Sequence, residues 1–218
     1  MRPIGNGSPK AANRSIWYGN SGTRRPELRG ILRRIVSAIK GFLAVAAAAC
    51  HYGAAAQDLD LAPSGFAVAP PAGYVATPSA PASPSRVALH LTKPAEPGVA
   101  CEVSFEVLPG FEHFSQEMLN RQTDNPDWEA FYREGLSDFY QIASVERFDH
   151  AGVRGAVVSA ISKPKPMIRN WAADQPTLIF MFYTPKGLSK IACVAPQPVF
   201  AARRVEFEAV ARGTTLPQ

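Results

Sequence analysis

Ser162-Lys163-Pro164-Lys165 sets a serine three residues ahead of a lysine, the spacing at which an amine could take the proton of a nucleophilic hydroxyl. That chemistry needs one helical turn between the two, and Pro164 restrains Lys163 from helical geometry. No S-D-N or K-T-G partner motif occurs in the chain. Glu112, His113 and Glu117 come nearest to metal-ligand spacing, but no second histidine joins them, and a solvated helix start accounts for all three. Asp127, Glu129, Glu134 and Asp138 interleave with aromatic residues and Arg133, the pattern of a hydrated outer helix face rather than of paired catalytic carboxylates. The sequence holds no G-x-S-x-G, C-x-x-C, H-E-x-x-H or G-x-G-x-x-G. No catalytic residue, metal or cofactor is therefore assigned.

Recognition chemistry has a better candidate. Ser162 to Gln175 reads as a connection between two strands, longer than compact domains usually need, and it holds Lys163, Lys165, Met167, Ile168, Arg169 and Trp171. Cationic and large apolar side chains on one loop are the composition of a partner-contact patch, and Lys163, Lys165, Arg169 and Trp171 are its assigned residues. The competing reading folds Trp171 and Ile168 inward to anchor the loop.

Residues 31 to 56 read as a secretory leader. Arg33, Arg34 and Lys40 form a positive region, Gly41 to Ala49 an apolar one, and Ala54-Ala55-Ala56 a small-residue site before Gln57. Residues 1 to 30 lack periodicity and read as disordered or as an upstream extension. The expected address is the periplasm. Two alternatives use the same segment: a lipoprotein acylated at Cys50, or an anchor left in the membrane by an uncleaved leader. The leader also carries most of the positive charge. Of 23 Lys+Arg and 18 Asp+Glu, 9 and 1 precede Gln57, which leaves 14 against 17 and a net charge of −3 beyond it. A net-negative body has no cationic field for phosphates, so nucleic acid is excluded as a partner. Cys50 falls within the leader, and in an oxidising compartment Cys101 and Cys193 have one intramolecular pairing open to them.

The elements that must position these residues follow from periodicity. Residues 57 to 85 are rich in Ala, Pro, Ser and Gly and allow at most one short strand, at Gly65 to Ala69, the rest reading as a tether or an extended edge. Residues 86 to 218 form a single domain. Val87, Leu89 and Leu91 alternate with Ala88, His90 and Thr92, and Cys101, Val103, Phe105 and Val107 alternate with Glu102, Ser104 and Glu106. These are strands, the second with one face in the core and one in water. A short helix is expected from Phe114 to Arg121, and a stronger one starting at Asn125-Pro126-Asp127. Trp128, Phe131, Tyr132, Leu136, Phe139 and Ala143 form the apolar stripe of the latter. Strands follow at Ser144 to Phe148 and Val153 to Ile161, and Leu178 to Tyr183 reads as a strand buried on both faces. Thr184-Pro185-Lys186-Gly187 turns it back onto Ser189 to Ala195. Val199 to Arg212 closes the chain as a helix, with Arg204 and Glu208 paired outside. The class is α+β, an antiparallel sheet flanked by helices.

Several short motifs carry a resemblance. They are Gly65-Phe66, Pro70-Pro71-Ala72-Gly73-Tyr74, Asn125-Pro126-Asp127-Trp128, Phe148-Asp149-His150-Ala151-Gly152-Val153, Thr184-Pro185-Lys186-Gly187 leading to Cys193, and Phe200-Ala201-Ala202-Arg203-Arg204 with Glu206-Phe207-Glu208. Through these the chain resembles a group of short exported proteins of alphaproteobacteria and, more broadly, is similar to the PsbP-like fold. That resemblance implies an α/β/α sandwich and a binding or assembly role without catalysis, and it transfers no site residue. Two functions follow as expectations. The first is a non-enzymatic periplasmic protein that binds another envelope component. The second is a carrier of a small molecule or lipid in a cleft between sheet and helix, suggested by the aromatics at 128, 131, 132, 139 and 140.

Overall fold

The computed structural model describes residues 65–79, 85–164 and 173–218. Residues 1–64, which include the segment read as a leader and Cys50, and residues 80–84 and 165–172 lie outside that set. Nine strands are described: β1 (Ala67–Val68), β2 (Val75–Pro78), β3 (Arg86–Thr92), β4 (Ala100–Val107), β5 (Tyr140–His150), β6 (Val153–Ser162), β7 (Pro176–Thr184), β8 (Gly187–Val194) and β9 (Thr214–Thr215). Three α-helices accompany them: α1 (Gln116–Arg121), α2 (Trp128–Leu136) and α3 (Gln197–Arg212). Single 3-10 turns at Phe111–His113 and Gln122–Asp124 flank α1.

Seven strands make one antiparallel sheet in the order β2-β3-β4-β8-β7-β6-β5. β1 and β9 pair separately, Ala67 opposite Thr215 and Val68 opposite Thr214. The interior strand β7 is buried along its whole length, as its unbroken apolar run requires. Leu178, Phe180 and Phe182 point to one face, where Phe207, Val210 and Ala211 of α3 meet them with Phe66, Leu89, Leu91 and Phe105. Ile179, Met181 and Tyr183 point to the other, against Leu119 of α1 and Tyr132 and Leu136 of α2. The sheet thus separates two apolar cores with helices outside both: α+β, antiparallel, flanked by helices.

Four expectations meet corrections here. Residues 65–79 hold two strands where at most one is expected: besides β1, β2 takes the extended-edge alternative at an edge of the main sheet, and Phe66 and Tyr74 are buried in the α3-side core. The mid-chain helix ends at Leu136, so Phe139 and Ala143 do not extend its stripe. Pairing of Tyr140 with Ser162 begins β5 at once, and the ladder with β6 outcompetes another helical turn. The polar phase of β4 is not a water face, because Ser104 is fully buried and Glu102 and Glu106 are partly so. Between β3 and β8 this strand is interior, and its charges find partners on its neighbours. Val107, assigned to the core phase, is 47% exposed at the strand end.

Candidate functional site

Cys101 and Cys193 stand opposite each other on β4 and β8, with their sulfurs at 2.08 Å. Both side chains lie in the α3-side core and are at most 1% exposed. This places a cross-link inside the sheet rather than at a reactive surface.

The loop assigned to partner contact is described only at its ends. Backbone bonds from Ser162 N–H to Gln175 O (3.0 Å) and from Asp174 N–H to Ser162 O (2.9 Å) pin its base as a continuation of the β6–β7 ladder. Lys163 is exposed, and its Nζ donates to Ser137 O at 2.6 Å, tying the loop base to the turn between α2 and β5. Lys165, Arg169 and Trp171 lie outside the described residues. The Ser162 hydroxyl accepts from Gln175 N–H at 3.0 Å, at a strand end and not on a helix. Among the described residues no group of three His, Cys, Asp or Glu could hold a metal ion; His113 is 80% exposed beside Glu112.

The residues that do converge are those of the aromatic helix. Asn125 Oδ1 accepts from the backbone N–H of Asp127 at 3.0 Å, an Asx turn that starts α2 where the sequence places it. The rotation of α2 then sets Trp128, Phe131 and Tyr132 toward Leu119 of α1 and Tyr183 of β7, enclosing a cleft of about 40 Å³ between helices and sheet. Its ring walls support one another. Trp128 meets Tyr132 edge-on at 6.0 Å, Phe131 meets Tyr132 at 5.1 Å, and Arg147 lies over the Trp128 ring at 5.5 Å. The rim is polar: Gln122, Thr123, Asn125, Asp127 and Arg154, the last bonded to Asp124 at 2.9 Å. Tyr183 belongs to the floor. Its hydroxyl is buried and has no hydrogen-bond partner among the described residues, and burial, followed by the neighbouring Tyr132, pushes its pKa well above the ordinary tyrosine value. A buried orphan hydroxyl is uncommon enough to ask what would satisfy it. The stripe at 128, 131 and 132 was legible in the sequence; Tyr183 was read only as part of a buried strand, and no local signal brings it to α2.

A second buried polar group lies on the same face of the sheet. Lys190 on β8 is 6% exposed, between Glu102 and Glu106 of the adjacent β4, and Arg86 of β3 pairs with Glu102 from the other side. Burial pushes the Lys190 ammonium down to about 8 against the pull of Glu102. Glu106 is raised, by burial first, with Arg86 and Lys190 opposing. The sequence marks Lys190 as one residue of a hairpin arm; only the sheet order makes it interior.

No family model matches the sequence, and no curated protein matches it. In structure the chain is similar to the cyanobacterial PsbP of Synechocystis, solved in solution, with a TM-score of 0.46 and 13% sequence identity over 70% of this chain and 87% of that one. The match to the PsbP-like fold is weak and partial. Among the described residues no helix is long and apolar enough to cross a membrane.

Proposed function

We propose that this protein is a non-enzymatic periplasmic binding protein that engages another protein of the cell envelope through the face of its sheet covered by α1 and α2. The observation that carries the reading is the aromatic cleft with its polar rim, an apolar centre ringed by hydrogen-bonding groups, as at protein–protein hot spots. The leader composition at residues 31 to 56 supports the address, and so does the likeness to short exported proteins of alphaproteobacteria. The loop residues Lys163, Lys165, Arg169 and Trp171 remain the second proposed contact; the described end of that loop borders the C-terminal turn of α2.

Size favours a protein partner over a carried lipid. A cleft of about 40 Å³ is well below the roughly 150 Å³ of an apolar cavity that holds a benzene, and so takes only a small apolar group. Small-molecule sites are commonly about 300–1,000 Å³. Burying one small apolar side chain contributes about 1.5–3 kcal/mol before the cost of association, too little to retain a free ligand yet enough for an anchor on a larger interface.

The test is photo-cross-linking in intact cells from a benzophenone residue at Gln122, on the rim, against one at Val205, which is 77% exposed on α3 across the sheet. A discrete envelope protein captured from position 122 and not from 205 is the expected result. Equal capture from both positions, or none from either, overturns the reading.

A further inference from the structure

We propose that this protein self-associates through the outer edge of β5, which pairs antiparallel with β5 of a second copy about a two-fold axis at Phe148. The inference does not depend on the binding role proposed above. β5 is an outer strand of the main sheet, 11 residues long, and among the described residues it pairs only with β6. The two-residue turn at Ala151 and Gly152 makes His150 and Val153 a hydrogen-bonded pair. The alternation of an antiparallel ladder then turns the N–H and C=O of Asp149, Arg147 and Val145 away from β6. Side chains mark the same outward direction at both ends. Arg212 Nη1 donates to Asp149 O and, past the register shift between Ile142 and Ser144, Arg133 Nη1 donates to Ile142 O, each at 3.5 Å. Between these two arginines the outward groups of Val145 and Arg147 have no partner among the described residues. An unpaired ladder edge is a template for another strand.

The charges on the edge select that strand. Arg147 and Asp149 are exposed, project from the same face of β5 and have opposite sign. Neither has an ion-pair partner among the described residues: Arg147 lies over the Trp128 ring and donates to Thr123 O, and Arg154, across the ladder from Asp149, is bonded to Asp124. A two-fold axis normal to the sheet pairs outward residues with outward residues and keeps the faces aligned. Placed at Glu146, Arg147 or Asp149, the axis sets a charge against its own copy; placed at Val145, it carries the ladder across the register shift. At Phe148 it sets Arg147 opposite Asp149 of the second copy and Asp149 opposite Arg147 of the second copy, with Glu146 and His150 opposed on the other face. Opposite charges directly across a ladder attract, and like charges repel. Asp149 O then exchanges its long bond from Arg212 for one from the N–H of Arg147 of the second copy. Arg212, which lies over the Phe148 ring without an ion-pair partner among the described residues, is released toward Glu146 of the second copy. A strand of another protein would match this charge order only by coincidence, whereas a second copy carries it.

The contact is small and therefore weak, so the experiment is sedimentation velocity of the purified full chain up to about 1 mM, with Cys50→Ser throughout to prevent disulfide-linked dimers. A monomer–dimer equilibrium is expected. Asp149→Arg and Arg147→Asp should each weaken it about tenfold to a hundredfold, because each sets like charges across both symmetry-related pairs. Mixed in equal amounts, the two variants should associate with each other about as tightly as the unreversed chain does with itself, since each offers the sign the other lacks. Melting curves check that both variants are folded. Amide hydrogen exchange on the unreversed chain needs neither reversal: the outward N–H groups of Arg147 and Asp149 should exchange more slowly as concentration rises, while other exposed amides stay constant. A chain that remains monomeric throughout the range overturns the inference and leaves the edge to a foreign strand. So does a dimer that survives both reversals, a pair of folded variants that fail to rescue each other, or unchanged exchange at Arg147 and Asp149 in a dimerising sample.

Discussion

At the scale of single residues, Lys190 has the clearest measurable consequence. Its folded pKa, pushed down to about 8 by burial, lies below the ordinary lysine value near 10.5. Between those values the unfolded chain holds a proton that the folded chain has released, so stability rises with pH across that window. Below the lower value both states are protonated, and the penalty for a buried ammonium is present in full. Urea unfolding between pH 7.5 and 9.5 should show this rise in the wild type, and Lys190→Met should flatten it. An identical pH profile in the variant would mean that Lys190 is hydrated in the folded state. Tyr74 opposes the trend at higher pH. Burial, then Glu206, pushes its hydroxyl up to about 12, so stability falls once the unfolded tyrosine begins to ionise near 10.

At the scale of elements, two features of β8 decide whether the sheet closes. Gly187 ends the β7–β8 turn with φ 149°, and a Cβ there would lie inside contact distance of the Glu106 carbonyl on β4. Gly187→Ala must therefore push β8 away from β4, with an expected cost of about 1–3 kcal/mol, as for overpacking in a core, read by chemical denaturation. Three positions on, Ser104 Oγ reaches Lys190 O at 3.4 Å along the same β4–β8 ladder. Cys101 and Cys193 then join the two strands across 92 residues of sequence. Closing a loop of that length in the unfolded chain contributes typically about 2–4 kcal/mol. Dithiothreitol, or the double substitution Cys101→Ala/Cys193→Ala, should lower the unfolding midpoint accordingly while leaving the far-ultraviolet spectrum unchanged. A midpoint insensitive to reductant would show two free thiols in the core.

These elements also show how far the chain could be read. The apolar run of β7, the turn at 184–187 and the Arg204–Glu208 pair, which closes at 2.9 Å, all follow from spacing of a few residues. The end of α2 does not. The aromatic stripe continues past Leu136 to Phe139, but a hydrogen bond from Phe139 N–H to Leu136 O (3.0 Å) turns the chain and β6 captures it from Tyr140. β2 was hidden for a similar reason. Val75–Pro78 is short and proline-bounded, with little strand signal of its own, and it is held by pairing with β3.

At the scale of the whole molecule, a charged network fastens α3 to the strands it covers. Glu206 accepts from Lys93 at 2.9 Å and from Tyr74 at 3.3 Å and pairs with Arg203, which also pairs with Glu96. Burial alone would raise the Glu206 carboxyl, but hydrogen bonds from Lys93 and Arg203 outweigh it and hold the group below the usual range. A carboxylate depressed in the folded state contributes stability that is complete above the unfolded value near 4.5 and lost as pH falls through the folded one. The acid limb of the stability curve should therefore be shallower in Glu206→Gln than in the wild type. Parallel limbs would mean that α3 is held by its apolar face alone, through Phe207 and Val210.

By itself the sequence determined what each segment is and which of its residues are apolar together. Strand and helix periods are local, and an unbroken apolar run such as β7 reports burial without reference to any partner, whereas the polar phase of β4 is interior only because β3 and β8 flank it. Only the tertiary structure decided who the neighbours are. Placing β8 between β4 and β7 made Lys190 and Ser104 interior, brought Cys101 to Cys193, and left β5 and β2 at the edges. The cleft belongs to the same level. Trp128 and Tyr183 are separated by more than fifty residues, and they meet because α2 and β7 share one core. Neighbour order is set by how the sheet as a whole buries its two faces, a sum over distant contacts that no window of residues contains.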